Sequence, residues 1–94
     1  MRIIGTLPHP TLRISVFRND GRSSIKFENE HYEQSFKLGS DDRFLDWKNI
    51  EQLVDAQMIQ QVQETFQRMH RNRLESMARF SAAQEASLQF DEII

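Results

Sequence analysis

Residues 55–80 read DAQMIQQVQETFQRMHRNRLESMARF, and their periodicity decides the fold. At about 100° per residue, with Met58 at zero, the large apolar side chains gather in one sector. Met58, Met69, Val62, Phe80, Phe66, Ile59, Met77 and Leu74 fall at roughly 0, 20, 40, 40, 80, 100, 100 and 160°. Gln60, Gln61, Glu64, Arg68, Arg71, Glu75 and Arg79 fall on the other side. A stripe that wide belongs to a helix packed on a core. A heptad seam begun at Ile59 passes through Val62, Phe66 and Met69 but fails at Arg73 and Ser76, so a coiled coil is not expected. Asp55 suits the N-cap, where its carboxylate accepts from free amides at the positive end of the dipole. Glu64 with Arg68, and Glu75 with Arg79, are i,i+4 pairs in the favourable order.

Working outward, the residues before this helix read as a small sheet for it to cover. From Thr11 the chain alternates: Leu12, Ile14 and Val16 point one way, Arg13, Ser15 and Phe17 the other. Asp20-Gly21 is a strong two-residue hairpin signal. It sets Val16 opposite Ile25, Ile14 opposite Phe27, Ser15 opposite Lys26 and Arg13 opposite Glu28, so pattern and turn agree. A second two-residue turn at Asn29-Glu30 leads to a third strand, His31 to Leu38. It pairs Phe27 with Tyr32 and Lys26 with Glu33. A turn at Glu30-His31 is the poorer choice, because it sets Glu28 against Glu33. Phe36 and Leu38 continue the apolar face, which Gln34 interrupts. Ile3, Ile4 and Leu7 offer a further first strand, stopped by Pro8-His9-Pro10.

After Gly39, residues Phe44, Leu45 and Trp47 form a loop that is expected to be partly buried. Asn49 with Gln52 points to a short capped helix over Ile50 to Val54, bending at Asp55. The expected fold is therefore α+β: a three- or four-stranded antiparallel meander, one face covered by a short helix and a long C-terminal amphipathic helix. The chain reads as one domain. Residues 1–39 form the meander, 46–80 the helical region, and 81–94 a tail that is either disordered or interface-forming. A helix of 25 residues spans about 37 Å, whereas seven-residue strands reach about 23 Å, so the helix is expected to overhang the sheet.

Composition bounds function more than it names it. Charged residues are 28 % and hydrophobic residues 38 %, as in folded soluble domains. A net charge of -2 argues against strong non-specific binding to nucleic acid or anionic membrane. The chain has no cysteine, which removes thiolate chemistry and cysteine-ligated zinc. No apolar run has signal-peptide or membrane-span length, so the expected location is cytoplasmic, without membrane attachment. His9, His31 and His70 lack metal-ligand spacing. Asp41, Asp42 and Asp46 lack the calcium-loop spacing and read as helix caps. Ser23 and Ser24 lie on a strand without a nucleophile elbow, and the three glycines are too scattered to cradle phosphate. No catalytic residue, metal ligand or cofactor site is expected, and an enzyme is not.

Two surfaces remain. Arg73, Leu74, Met77 and Phe80, joined by Leu88 and Phe90, form the expected interface of a homodimer, or of a complex with an unidentified protein. Arg73 stands inside the apolar sector, at about 60°, where its stem covers apolar surface or its guanidinium pairs with a carboxylate. Arg68, Arg71 and Arg79 share another face and form the alternative, a phosphate-binding surface for nucleic acid, partly neutralised by Glu64 and Glu75. The leading expectation is a small non-enzymatic interaction or regulatory protein that self-associates through the C-terminal helix. A ligand-binding or enzymatic module with a site between helix and sheet is the further alternative.

Overall fold

The computed structural model describes the backbone of residues 1–93 and the side chains of residues 1–87. Four strands form one antiparallel sheet in the order β1-β2-β3-β4: β1 (Arg2–Leu7), β2 (Arg13–Asn19), β3 (Arg22–Glu28) and β4 (Glu33–Gly39). A 3₁₀ turn (Asp42–Leu45), α1 (Trp47–Leu53) and α2 (Ala56–Ile93) follow. The architecture is the α+β meander that the alternation and the helical stripe predict. The chain divides into two compact units, Met1–Gln63 and Glu64–Ile94, so the first two turns of α2 belong with the sheet.

The β2–β3 hairpin has the expected register, with Val16 opposite Ile25 and Ile14 opposite Phe27. Asp20 and Gly21 both adopt positive φ, 52° and 73°, as a type I′ turn requires. The first strand exists and pairs with β2. It carries a bulge, because Ile3 opposes Phe17 and Gly5 opposes Val16, leaving Ile4 as the additional residue.

The β3–β4 register corrects the sequence reading. Glu28 opposes Glu33, Lys26 opposes Ser35 and Phe27 opposes Gln34. Five contacts favour the longer loop over the two-residue turn. Asn29 Oδ1 accepts the backbone N–H groups of His31 (3.0 Å) and Tyr32 (2.9 Å). The Asn29 amide closes the loop by donating to the Tyr32 carbonyl at 3.0 Å. Lys26 Nζ lies 3.3 Å from Glu28 and 3.7 Å from Glu33, which offsets the like-charge pairing. The displacement is two residues from Glu33 to Lys37, so those side chains keep their expected faces, and the register shifts once more at Leu38.

In the first unit, one face of the sheet is covered. Leu12, Ile14, Val16, Ile25 and Phe27 on or beside the sheet, with Ile50, Val54 and Val62 from the helices, form the core. Phe36 meets Phe27 edge to face, with centroids 5.7 Å apart. Gln34, the polar break in the apolar face, donates from Nε2 to the Val62 carbonyl at 2.9 Å, fixing β4 to the start of α2. Gly5 is the seat of the Trp47 indole: a Cβ there would lie 2.5 Å from the ring.

The segment after the sheet differs from expectation in two details. Phe44 and Leu45 lie in a 3₁₀ turn, and Leu45 is exposed rather than partly buried. Asp46, not Asn49, caps α1 by accepting from the Lys48 amide at 3.0 Å, so the helix starts at Trp47. The Asn49 side chain instead donates to the Arg43 carbonyl at 2.7 Å. Asp55 caps α2 as expected, its Oδ1 accepting from the Met58 amide at 2.8 Å. The helix then continues through residues 81–93, past the change in composition at Ser81. Ala82, Ala83 and Ala86 are the strongest helix formers available, and neither Gly nor Pro interrupts the run.

Candidate interaction helix

The apolar stripe of α2 splits into two halves with different fates. In its first half Val62 and Phe66 are buried, and Met58, Ile59 and Met69 are partly covered. Beyond Met69, every described side chain from His70 to Ser87 is exposed. Leu74, Met77 and Phe80 are 51, 53 and 65 % exposed, although they occupy the same arc of the helix as the buried residues. Arg73 is exposed on that arc as well. The side chains of Leu88 and Phe90, the remaining members of the expected interface, lie outside the described residues.

Arg68, Arg71 and Arg79 are all exposed. They do not act alike. Arg79 Nη2 donates to Ser76 Oγ at 2.9 Å, and Ser76 Oγ lies 3.3 Å from Asn72 Oδ1. This short polar chain draws the Arg79 guanidinium toward the arc of Ser76, which borders the apolar sector, and away from the arc of Arg68 and Arg71. The cationic face is therefore narrower than helical spacing alone implies, while the apolar face is intact.

His9, Asp41 and Ser23 have local structural roles. His9 Nδ1 accepts from the amides of Thr11 (3.2 Å) and Leu12 (3.1 Å), which shapes the loop that leads into β2. Asp41 caps the 3₁₀ turn through the Arg43 amide, and its carboxylate meets the Arg43 guanidinium at 2.7 Å. The side-chain hydrogen bond from Arg43, with the backbone one, holds the Asp41 carboxyl below its ordinary range. Ser23 is buried and donates to the Phe44 carbonyl at 3.2 Å. Among the described residues no three His, Asp or Glu side chains converge on a common point, and no helix is long and apolar enough to cross a membrane. Comparison with family models, with curated proteins and with solved structures finds no match for this chain, so the functional reading rests on the residues themselves.

Proposed function

We propose that this chain is a small non-enzymatic interaction protein that self-associates through the second half of α2. The observation that carries the reading is the exposure of Leu74, Met77 and Phe80 on successive turns of an unbroken helix. Complete burial of such a side chain contributes about 1.5–3 kcal/mol. Each is already about half covered, so three from each of two chains supply roughly 5–9 kcal/mol. Association itself costs about 4–15 kcal/mol. The apolar contact alone therefore supports a weak, concentration-dependent dimer, and other contacts must decide its strength and direction.

Charge supplies the direction and favours a second copy as the occupant. Residues 68–79 carry Arg68, Arg71, Arg73 and Arg79 against Glu75 alone. Residues 81–94 carry Glu85, Asp91 and Glu92 and no Lys or Arg. Antiparallel pairing sets the basic segment of one chain beside the acidic segment of the other, whereas parallel pairing opposes like charges. With Met77 and Phe80 at the two-fold axis, Arg73 stands at the rim near Glu85 of the partner subunit.

The absence of cysteine makes this arrangement testable by single-cysteine cross-linking. Disulfides form only where Cα atoms approach within about 7 Å. Met77→Cys is expected to cross-link under mild oxidation, and Met69→Cys is not, because antiparallel pairing carries position 69 away from its own copy. Cross-linking at both positions contradicts the antiparallel geometry, and cross-linking at neither contradicts the interface. A second reading, phosphate-backbone binding through Arg68 and Arg71, is favoured only by their exposure.

A further inference from the structure

β4 ends the sheet, with β3 as its neighbour on one side only. The ladder to β3 fixes which backbone groups of β4 point outward. The Asn29 amide donates to the Tyr32 carbonyl, so these two residues form a hydrogen-bonded pair. Such pairs alternate along an antiparallel ladder. In the observed register Phe27 with Gln34, and Ile25 with Phe36, are therefore hydrogen-bonded pairs, and Gln34 and Phe36 turn their backbone groups toward β3. Glu33, Ser35 and Lys37 turn theirs to the outer edge. The side chains of these three are exposed on the face opposite the core, and Phe36 on the covered face is 38 % exposed.

The two edges of the sheet differ. β1 carries its bulge at Ile4, inside the strand, and Pro8 follows it directly; both features blunt an edge. In β4 the irregularity falls at Leu38, beyond a regular run from Glu33 to Lys37. That run is self-complementary. Antiparallel pairing of two copies about Ser35 sets Glu33 opposite Lys37 of the partner subunit, and Lys37 opposite Glu33 of the partner subunit. These pairs, with Ser35 facing its own copy, all use outward backbone groups and exchange about six hydrogen bonds. An axis at Phe36 would set Glu33 against the partner's Gly39 and Lys37 against the partner's Ser35. An axis at Gln34 would set Glu33 against the partner's Ser35 and Lys37 against the partner's His31. Neither matches the charges. Within one chain Lys37 takes no part in the ion pairs among the described residues.

We infer that β4 is a second self-association surface, which pairs antiparallel with β4 of another copy about a two-fold axis at Ser35. Charges on an edge strand ordinarily guard it against pairing. An acid and a base placed symmetrically about Ser35 instead select one register. A second copy is the occupant because the same segment supplies both halves of the charge match. The pairing also lays the partner's Gln34 beside the exposed Phe36. The paired segment is short, and its backbone hydrogen bonds replace bonds to water, so this is the weaker of the two self-association surfaces. It joins chains only above the concentrations at which α2 dimers form, and there it links those dimers into larger assemblies. The β4 contact itself does not depend on the α2 interface.

The test is the rate of disulfide formation under mild oxidation, which traps even a weak contact. It uses the full chain carrying Met77→Glu/Phe80→Glu, in which the α2 contact is disabled, so its outcome is separate from that of the α2 interface. Facing residues of a hydrogen-bonded antiparallel pair have Cα atoms about 5.5 Å apart, within disulfide reach. Ser35→Cys is expected to cross-link at least about tenfold faster than Thr6→Cys. Thr6 is exposed in the same row of the open face, but on the β1 edge. Adding Lys37→Glu is expected to remove the advantage of position 35, because it sets two acids together. Glu33→Lys/Lys37→Glu is expected to restore it, because the reversed charges still match. Circular dichroism checks that each variant is folded. Equal rates at positions 35 and 6 would overturn the pairing. So would a rate at position 35 that ignores Lys37→Glu, or that the double reversal fails to restore in folded protein.

Discussion

Replacing Gly5 by alanine sets two effects of opposite sign against each other. Gly5 sits inside β1, and its φ is not in the left-handed region, so alanine is compatible with the backbone. On conformational entropy alone the substitution stabilises, by about 0.4–1 kcal/mol. The Trp47 ring opposes this. A Cβ at position 5 would lie 2.5 and 2.8 Å from two indole carbons, closer than van der Waals contact allows. Overpacking of this kind costs about 1–3 kcal/mol. Trp47 is only partly buried, so the ring can tilt outward and the lower part of that range applies. The net expectation is a loss of between about zero and 1.6 kcal/mol, so the coupling to Trp47 is the informative quantity. Urea denaturation measures it, provided the m-value is unchanged. The double-mutant cycle isolates the cause: in a Trp47→Leu background, Gly5→Ala is expected to become neutral or stabilising, with a coupling of about 1–3 kcal/mol. A coupling near zero between positions 5 and 47 would refute the packing of the indole on β1.

Other outcomes follow from the turn, the cap and the arginine face. Gly21 has open space around it and φ 73°, so Gly21→Val acts through backbone strain alone; denaturation is expected to show a loss of about 1–3 kcal/mol, and a loss near zero contradicts the type I′ turn. The Asp41 carboxyl is held below its ordinary value by Arg43. The folded pKa is thus depressed, so the cap is fully present above the ordinary carboxylate pKa of about 4 and is lost only as pH falls through the lower folded value. A carboxyl NMR titration is expected to place Asp41 below the ordinary value and to return it there in Arg43→Ala; an unshifted Asp41 in the parent protein contradicts the pairing. For nucleic acid, any affinity carried by Arg68 and Arg71 must fall with salt, and their joint replacement by alanine must flatten that slope. Binding tighter than about 1 µM at physiological salt, abolished by that double substitution, would favour the phosphate reading of α2 over self-association.

What could be read from the sequence depended on whether the deciding contact is local. The β2–β3 register was legible because Asp20-Gly21 and the alternation of Ile14, Val16, Ile25 and Phe27 each specify it independently. The β3–β4 register was not. Setting Glu28 against Glu33 counts as unfavourable until Lys26 is seen between them, and the cap formed by the Asn29 side chain lengthens the loop. Gln34 reads as a defect in the apolar face; its role depends on a helix carbonyl nearly thirty residues away. Gly5 carries the general signal of a glycine inside a strand, a bulge or a close approach, and both occur there. The change in composition at Ser81 masks the extent of α2, which the helix propensity of Ala82, Ala83 and Ala86 supports. On the helix surface, the wheel placed Leu74, Met77 and Phe80 on one arc with Phe66. Periodicity does not distinguish a buried arc from an open one, so the change from burial at Phe66 to exposure at Leu74 required coordinates.

The central claim, self-association through the open face of α2, is tested most directly by the mass of the chain in solution. Size exclusion with light scattering, run over a wide range of concentration, is expected to show a rise from the 11.2 kDa monomer toward twice that mass. The variant Met77→Glu/Phe80→Glu is expected to remain a monomer throughout, with unchanged circular dichroism, since both residues are exposed within the single chain. A parent protein that stays monomeric at every concentration, or a dimer that survives both charges, would contradict the claim.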